Sequence, residues 1–195
     1  MNAIDSFRIA RPLHSINDIK NYYDSCLNAI DNYHSRTGNK DFTSCFLGWK
    51  DKDIVAQSLK LKRELSSECS LMVVANIESL FRIDSYARIE FRFKGKIHDN
   101  VKKLLLRKKS IGRVNIDDLI DVWKQEFLHE AQLFRDLNLA FMFRNWFAHG
   151  RYWHLSDSVE KHFDFTSVYL LRQSIVDVLG STLVTIDNGS AHHLK

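Results

Sequence analysis

Residues 115–150 read NIDDLIDVWKQEFLHEAQLFRDLNLAFMFRNWFAHG, and the spacing of their apolar side chains decides the fold class. Ile116, Leu119, Trp123, Phe127, Ala131, Phe134, Leu137 and Phe141 recur at steps of three and four, which lines them along one face of a helix. Asn115 or its neighbour suits the N-cap, where a side-chain oxygen accepts an orphan backbone N–H. Asp117 and Asp118 suit the positive end of the helix dipole. Gly150 tolerates the left-handed conformation that stops a helix. The pattern predicts one long helix from Ile116 to about His149.

The same period recurs on either side. Ile16, Ile19, Tyr23, Leu27 and Ile30 predict a helix over 16–33 with Ser15 as its N-cap. The polar mixture between Ser35 and Gly48 reads as a connection. Asp51 to Phe93 is helix-compatible throughout, but Ser66-Ser67-Glu68 resembles a fresh N-terminus, so two helices are expected there. The second of them carries Leu71, Val74, Ile77, Leu80, Phe81 and Ile89 and is closed by Gly95. A shorter helix over 97–107 buries Val101, Leu104 and Leu105, and Gly112 separates it from the next. After a loop over 151–163, a last helix starts near Asp164 or Thr166 and uses Val168, Leu171, Ile175, Val178 and Leu179 before Gly180. The tail from Asp187 to Lys195 is expected to be mobile. Without strand alternation or internal repeats, this describes an all-α antiparallel bundle of five to six helices. It forms one domain over 1–195 with its core in 16–184.

Composition agrees. The 195 residues are 45% hydrophobic and 27% charged, as in a folded globular chain. One proline and seven glycines are too few for the many turns of a β-sandwich or barrel. Cys26, Cys45 and Cys69 are scattered and odd in number, as in a reduced cytoplasmic protein. The first residues carry Asp5, Arg8 and Arg11 and lack the apolar stretch of a secretory signal. Runs such as Cys69–Ile77 and Val178–Ile186 fall short of the roughly 18 residues that suggest a membrane span. A soluble protein without membrane contact is expected. The net charge of +4 is compatible with a polyanionic partner without requiring one.

The densest chemistry lies in Phe143-Arg144-Asn145-Trp146-Phe147-Ala148-His149-Gly150-Arg151-Tyr152-Trp153. A plain structural reading makes His149 a helix cap, Arg144 half of a surface ion pair and the aromatics core. Arg-Asn-x-x-x-His at the end of a bundle helix, however, resembles the signature of HEPN domains, and the all-helical context from about 16 to 184 adds to the likeness. The resemblance implies a ribonuclease site with Arg144 and His149 as its catalytic pair, no metal and no cofactor, in a homodimer. It also implies a role as a toxin or defence effector, with an antitoxin or regulatory protein as a further partner. HEPN toxins paired with nucleotidyltransferase antitoxins carry a tyrosine two residues beyond the histidine. Tyr152 stands three beyond His149, which puts that mode of control in doubt. Some members of the superfamily act instead as non-catalytic modules that bind nucleotides, RNA or proteins.

The residue types fit the chemistry. Attack of the RNA 2′-hydroxyl on its own phosphate needs a proton taken, a proton given and charge stabilised on phosphorus. Imidazole can make either transfer, guanidinium grips phosphate through a planar fork, and Asn145 is placed to orient the histidine or touch phosphate. Five residues of helix put Arg144 and His149 about 140° apart around the axis. A shared site therefore forms at the helix end or where two copies meet about a twofold axis.

Supporting roles fall to Asn145, Arg151, Tyr152 and Glu78. Glu78 either reaches the catalytic end or simply pairs with Arg82 four residues on, as Asp84 does with Arg88; the simple pairing is favoured. Between Asn100 and Ile116 there is no acidic residue, while Lys102, Lys103, Arg107, Lys108, Lys109 and Arg113 form a run able to track an RNA backbone or merely to face solvent. No metal motif closes: His129-Glu130 begins a zincin-like pattern, but Leu133 stands where the second histidine belongs. The His192-His193 pair lies in the expected tail.

Overall fold

The computed structural model describes residues 15–109, 113–150, 163–187 and 190–194. The first helix, α1 (Ile16–Tyr33), has the predicted bounds and starts at a reciprocal cap. Ser15 Oγ accepts from the Asp18 N–H at 3.2 Å and the Ser15 N–H donates to the Asp18 carboxylate at 2.9 Å, which satisfies two orphan donors at once. Within the segment read as a loop, α2 (Phe42–Cys45) forms a single turn. Phe42 and Phe46 pack there with Ile54 in a small satellite core.

The spine is α3 (Asp51–Glu90), an unbroken helix of 40 residues, about 60 Å long at a rise of roughly 1.5 Å per residue. The expected break at Ser66-Ser67-Glu68 is absent, and the hydroxyls show why. Ser70 Oγ donates back to the Ser66 carbonyl at 2.7 Å, a bond made inside a continuing helix. Ser66 Oγ accepts from the Phe165 N–H at 2.9 Å, so it serves the first turn of a different helix. Leu65, Cys69 and Val73 carry one buried stripe straight through the region.

Next come α4 (Lys96–Lys108) and α5 (Ile116–Glu126). The long helix expected over 116–149 is divided at Phe127, whose backbone leaves the helical region at φ −120°, ψ 53°. A 3-10 turn over Leu128–Glu130 then leads into α6 (Ala131–Ala148). The two halves have different partners: α5 lies on α3 and α4, whereas α6 also packs on α7 (Phe165–Leu179). The bend lets Trp123 and Phe134, on either side of it, both be fully buried. Neither glycine nor proline marks the position.

A second difference lies at the end of the described chain. The tail expected to be mobile from Asp187 onward supplies β2 (Ser190–His193), which pairs antiparallel with β1 (Val184–Asp187), Val184 standing opposite His193. The described residues are mostly helical, with this small hairpin added. The hairpin is held to α3 by a buried ion pair: Arg88 Nε donates to both Asp84 oxygens at 2.9 Å, and its Nη2 to the Thr182 carbonyl at 2.5 Å. The Val184 N–H in turn donates to Asp84 Oδ1 at 2.8 Å. Asp84 is fully buried and Arg88 keeps only 4% of its side chain exposed. Burial pushes the Asp84 carboxyl up to about 6, opposed by Arg88.

Phe81, Trp123, Phe134, Ile77 and Leu119 form the centre of the core, each such side chain contributing roughly 1.5–3 kcal/mol by leaving water. None of the described helices is long and apolar enough to cross a membrane.

Candidate functional site

The C-terminal end of α6 is anchored by aromatics. Phe143 is buried and stacks on Phe163 at 5.3 Å between centroids. Trp146 and Phe147 are partly buried against the core and lie 5.7 and 6.2 Å from the Phe143 ring. The aromatics of the motif thus belong to the edge of the core, beside its polar residues. Large rings fix a helix end firmly because each removes so much area from water.

Arg144 projects from this anchored turn toward α3. Its Nη2 donates to Glu78 Oε2 at 3.1 Å and its Nη1 to Asn145 Oδ1 at 3.0 Å. The other Glu78 oxygen accepts from Arg82 Nε at 2.7 Å, and Arg82 Nη1 donates to the Val114 carbonyl at 3.2 Å. The two readings of Glu78 prove compatible: it pairs with Arg82 on its own helix and also reaches the motif. With only 15% of its side chain exposed, Glu78 holds one guanidinium on each oxygen, and cations exceed anions in the group by one. Arg144 keeps 41% of its side chain exposed. The N–H groups not spent on Glu78 and Asn145 can meet an anion from solvent.

His149 is the C-cap of α6, exposed, with its backbone N–H on the Asn145 carbonyl at 3.0 Å. Gly150 follows at φ +81°, the left-handed terminator that the sequence pattern required. Arg151 and Tyr152 lie outside the described residues.

The basic run is brought close to this group by one contact. Val114, whose carbonyl receives Arg82, directly follows Arg113, so the run ends beside the Arg82–Glu78–Arg144 chain. Its charge is uneven. Asp118 of α5 takes Lys108 at 2.9 Å and Arg107 at 3.6 Å. Its carboxyl is held below the usual carboxylate range chiefly by the Lys108 hydrogen bond. Lys102, Lys103, Lys109 and Arg113 are exposed. Among the described residues no cluster of three or more His, Cys, Asp or Glu side chains could hold a metal ion.

Comparison with protein-family models, curated proteins and solved structures gave no significant match. The reading of this site therefore rests on its own residues.

Two arginines were undervalued in the sequence. Arg82 looked like a helical partner for Glu78, yet it ties that carboxylate to the basic run. Arg88 reads as the helical partner of Asp84, which it is, yet the pair is buried. A hint existed for the second: Asp84 and Arg88 interrupt a helix face whose neighbours Phe81, Ala87 and Ile89 are apolar.

Proposed function

We propose that the chain is a HEPN-type endoribonuclease that cleaves RNA at a site completed by a second copy, acting as a toxin or defence effector in the cytoplasm. The observation that carries the reading is the pose of Arg144: a guanidinium fixed by Glu78 and Asn145 at an aromatic-anchored helix end, with part of its fork open to solvent. His149 stands at the same helix end, and the exposed cations leading to Arg113 offer a path for the RNA backbone. The 2′-oxygen attacks phosphorus and the bond from phosphorus to the 5′-oxygen breaks. One imidazole takes the 2′ proton, the other gives a proton to the departing 5′-oxygen, and Arg144 neutralises charge on the phosphoryl oxygens. Two copies are invoked because five helical residues separate Arg144 from His149 by about 140°.

The test is incubation of purified protein with mixed RNA in excess EDTA. Products ending in 2′,3′-cyclic phosphate and 5′-hydroxyl are expected, with specific activity falling on dilution as dimer dissociates. Cleavage only after metal is added would reject the mechanism, and full activity from a monomer would reject the two-copy site. Binding without cleavage would instead favour a HEPN-like module that works by contact alone.

A second expectation separates binding from chemistry. Replacing Lys102 and Lys103 with Ala should weaken RNA binding and reduce the slope of log affinity against log salt by up to roughly 1.4 for single-stranded RNA, about 0.7 for each phosphate no longer neutralised. The single-turnover rate on saturating RNA should not change. An unaltered salt slope would take these lysines off the RNA path.

A further inference from the structure

About ten residues beyond Glu78, roughly 15 Å along α3, lies a cavity that the Arg144 group does not use. Its volume is about 340 Å³, and Arg88, Lys94, Lys96, Ser181 and His193 line it, with Glu126 as its one carboxylate. That is at the small end of the roughly 300–1,000 Å³ typical of ligand sites.

Its floor is a built element. Arg88 is 96% buried, held by Asp84 and the Thr182 carbonyl and lying over the Trp123 ring at 5.4 Å. Those bonds occupy Nε and Nη2. Nη1 has no hydrogen-bond partner among the described residues and is not sealed from solvent. Around it stand Lys94 and Lys96, both exposed, and Ser181; Lys96 lies 3.8 Å from Glu126 in a loose ion pair that an anion would compete for. Gly95 also lines the cavity, at the start of α4, which has no side-chain cap. The lining residues come from the end of α3, the start of α4 and the turn after α7, so three elements contribute to one cavity.

We propose that this cavity binds a phosphate monoester, independently of the Arg144 site. A carboxylate offers two oxygens and a phosphodiester two unesterified ones, whereas a monoester presents three to donors from three directions. The volume exceeds what a bare phosphate fills and leaves room for a small substituent, whose hydroxyls Glu126 can accept from.

The test is calorimetric titration of the full chain, at constant ionic strength, with ribose 5-phosphate, inorganic phosphate and ribose. Saturable binding of the ester is expected, with weaker binding of phosphate and none of ribose. Replacing Lys94 and Lys96 together with Ala, both exposed and outside the core, should weaken ester binding about tenfold. Arg144→Ala should bind the ester as wild type does, so failure here is separable from failure of the nuclease reading. Absence of ester binding, equal affinity for ribose, or an unaffected double variant would overturn the proposal. Phosphate binding as tight as the ester would overturn the ester assignment, and loss of binding in Arg144→Ala would overturn the independence of the two sites.

Discussion

His149→Ala protein is expected to fold, dimerise and leave RNA intact. Loss of the imidazole removes a proton transfer from the proposed reaction, a defect of about 10²–10⁴-fold in rate. The structural cost is small, because the side chain is exposed at a helix end and such end interactions are worth about 1 kcal/mol or less. Single-turnover cleavage by the dimeric variant decides the matter, and a wild-type rate would remove His149 from the mechanism. Arg144→Ala should be inactive as well but is the less clean probe, since it strips a partner from the largely buried Glu78 carboxylate. Arg144→Lys should restore little, because an ammonium cannot hold Glu78, Asn145 and a phosphate in the planar geometry of the guanidinium.

The largest loss of stability is expected from Arg88→Ala. It leaves the Asp84 carboxylate buried without its countercharge and frees the Thr182 carbonyl, a change that typically costs about 3–5 kcal/mol. The pH dependence has a definite sign. In the intact protein the Asp84 carboxyl titrates near 6, above its ordinary 3.8. The native state therefore holds that proton more tightly than the unfolded chain does. The stability contributed by this group is present below about pH 4 and is lost as pH rises through 6. Without Arg88 the native carboxyl rises further. The penalty of Arg88→Ala, measured by denaturant unfolding against wild type, should be greater at pH 7.5 than at pH 5. A penalty independent of pH would mean that Asp84 is not the group left uncompensated. Asp84→Asn should flatten the wild-type slope between pH 4 and 6.

These two sites were legible to different degrees. The helical class, the bounds of α1, the Ser15 cap and the Gly150 terminator follow from local chemistry, since each is decided by residues within one or two turns. The misplaced and missed breaks have tertiary causes. Ser66 has the composition of an N-cap, but its hydroxyl is used by Phe165, 99 positions away. Phe127 lies on a regular apolar stripe, but the helices on either side of it pack on different partners. The hairpin carried no alternation strong enough to read and is held by Asp84 and Arg88. At the candidate site the motif drew attention to Arg144 and His149, whereas Glu78 had two open partners whose coexistence only the packing of α3 against α6 could reveal.

The hydrogen bond between Asp84 and Val184 has a consequence in time. The partners are 100 positions apart, and a ribosome adding about 5–20 residues per second needs roughly 5–20 s to cross that interval. Throughout it, the nascent α3 displays a carboxylate and a guanidinium whose backbone partners do not yet exist, on the face that later becomes the most deeply buried. Until Thr182 and Val184 have been made, the bonds that replace the hydration of both charges cannot form. Full desolvation of the pair therefore waits on the strand that closes over it.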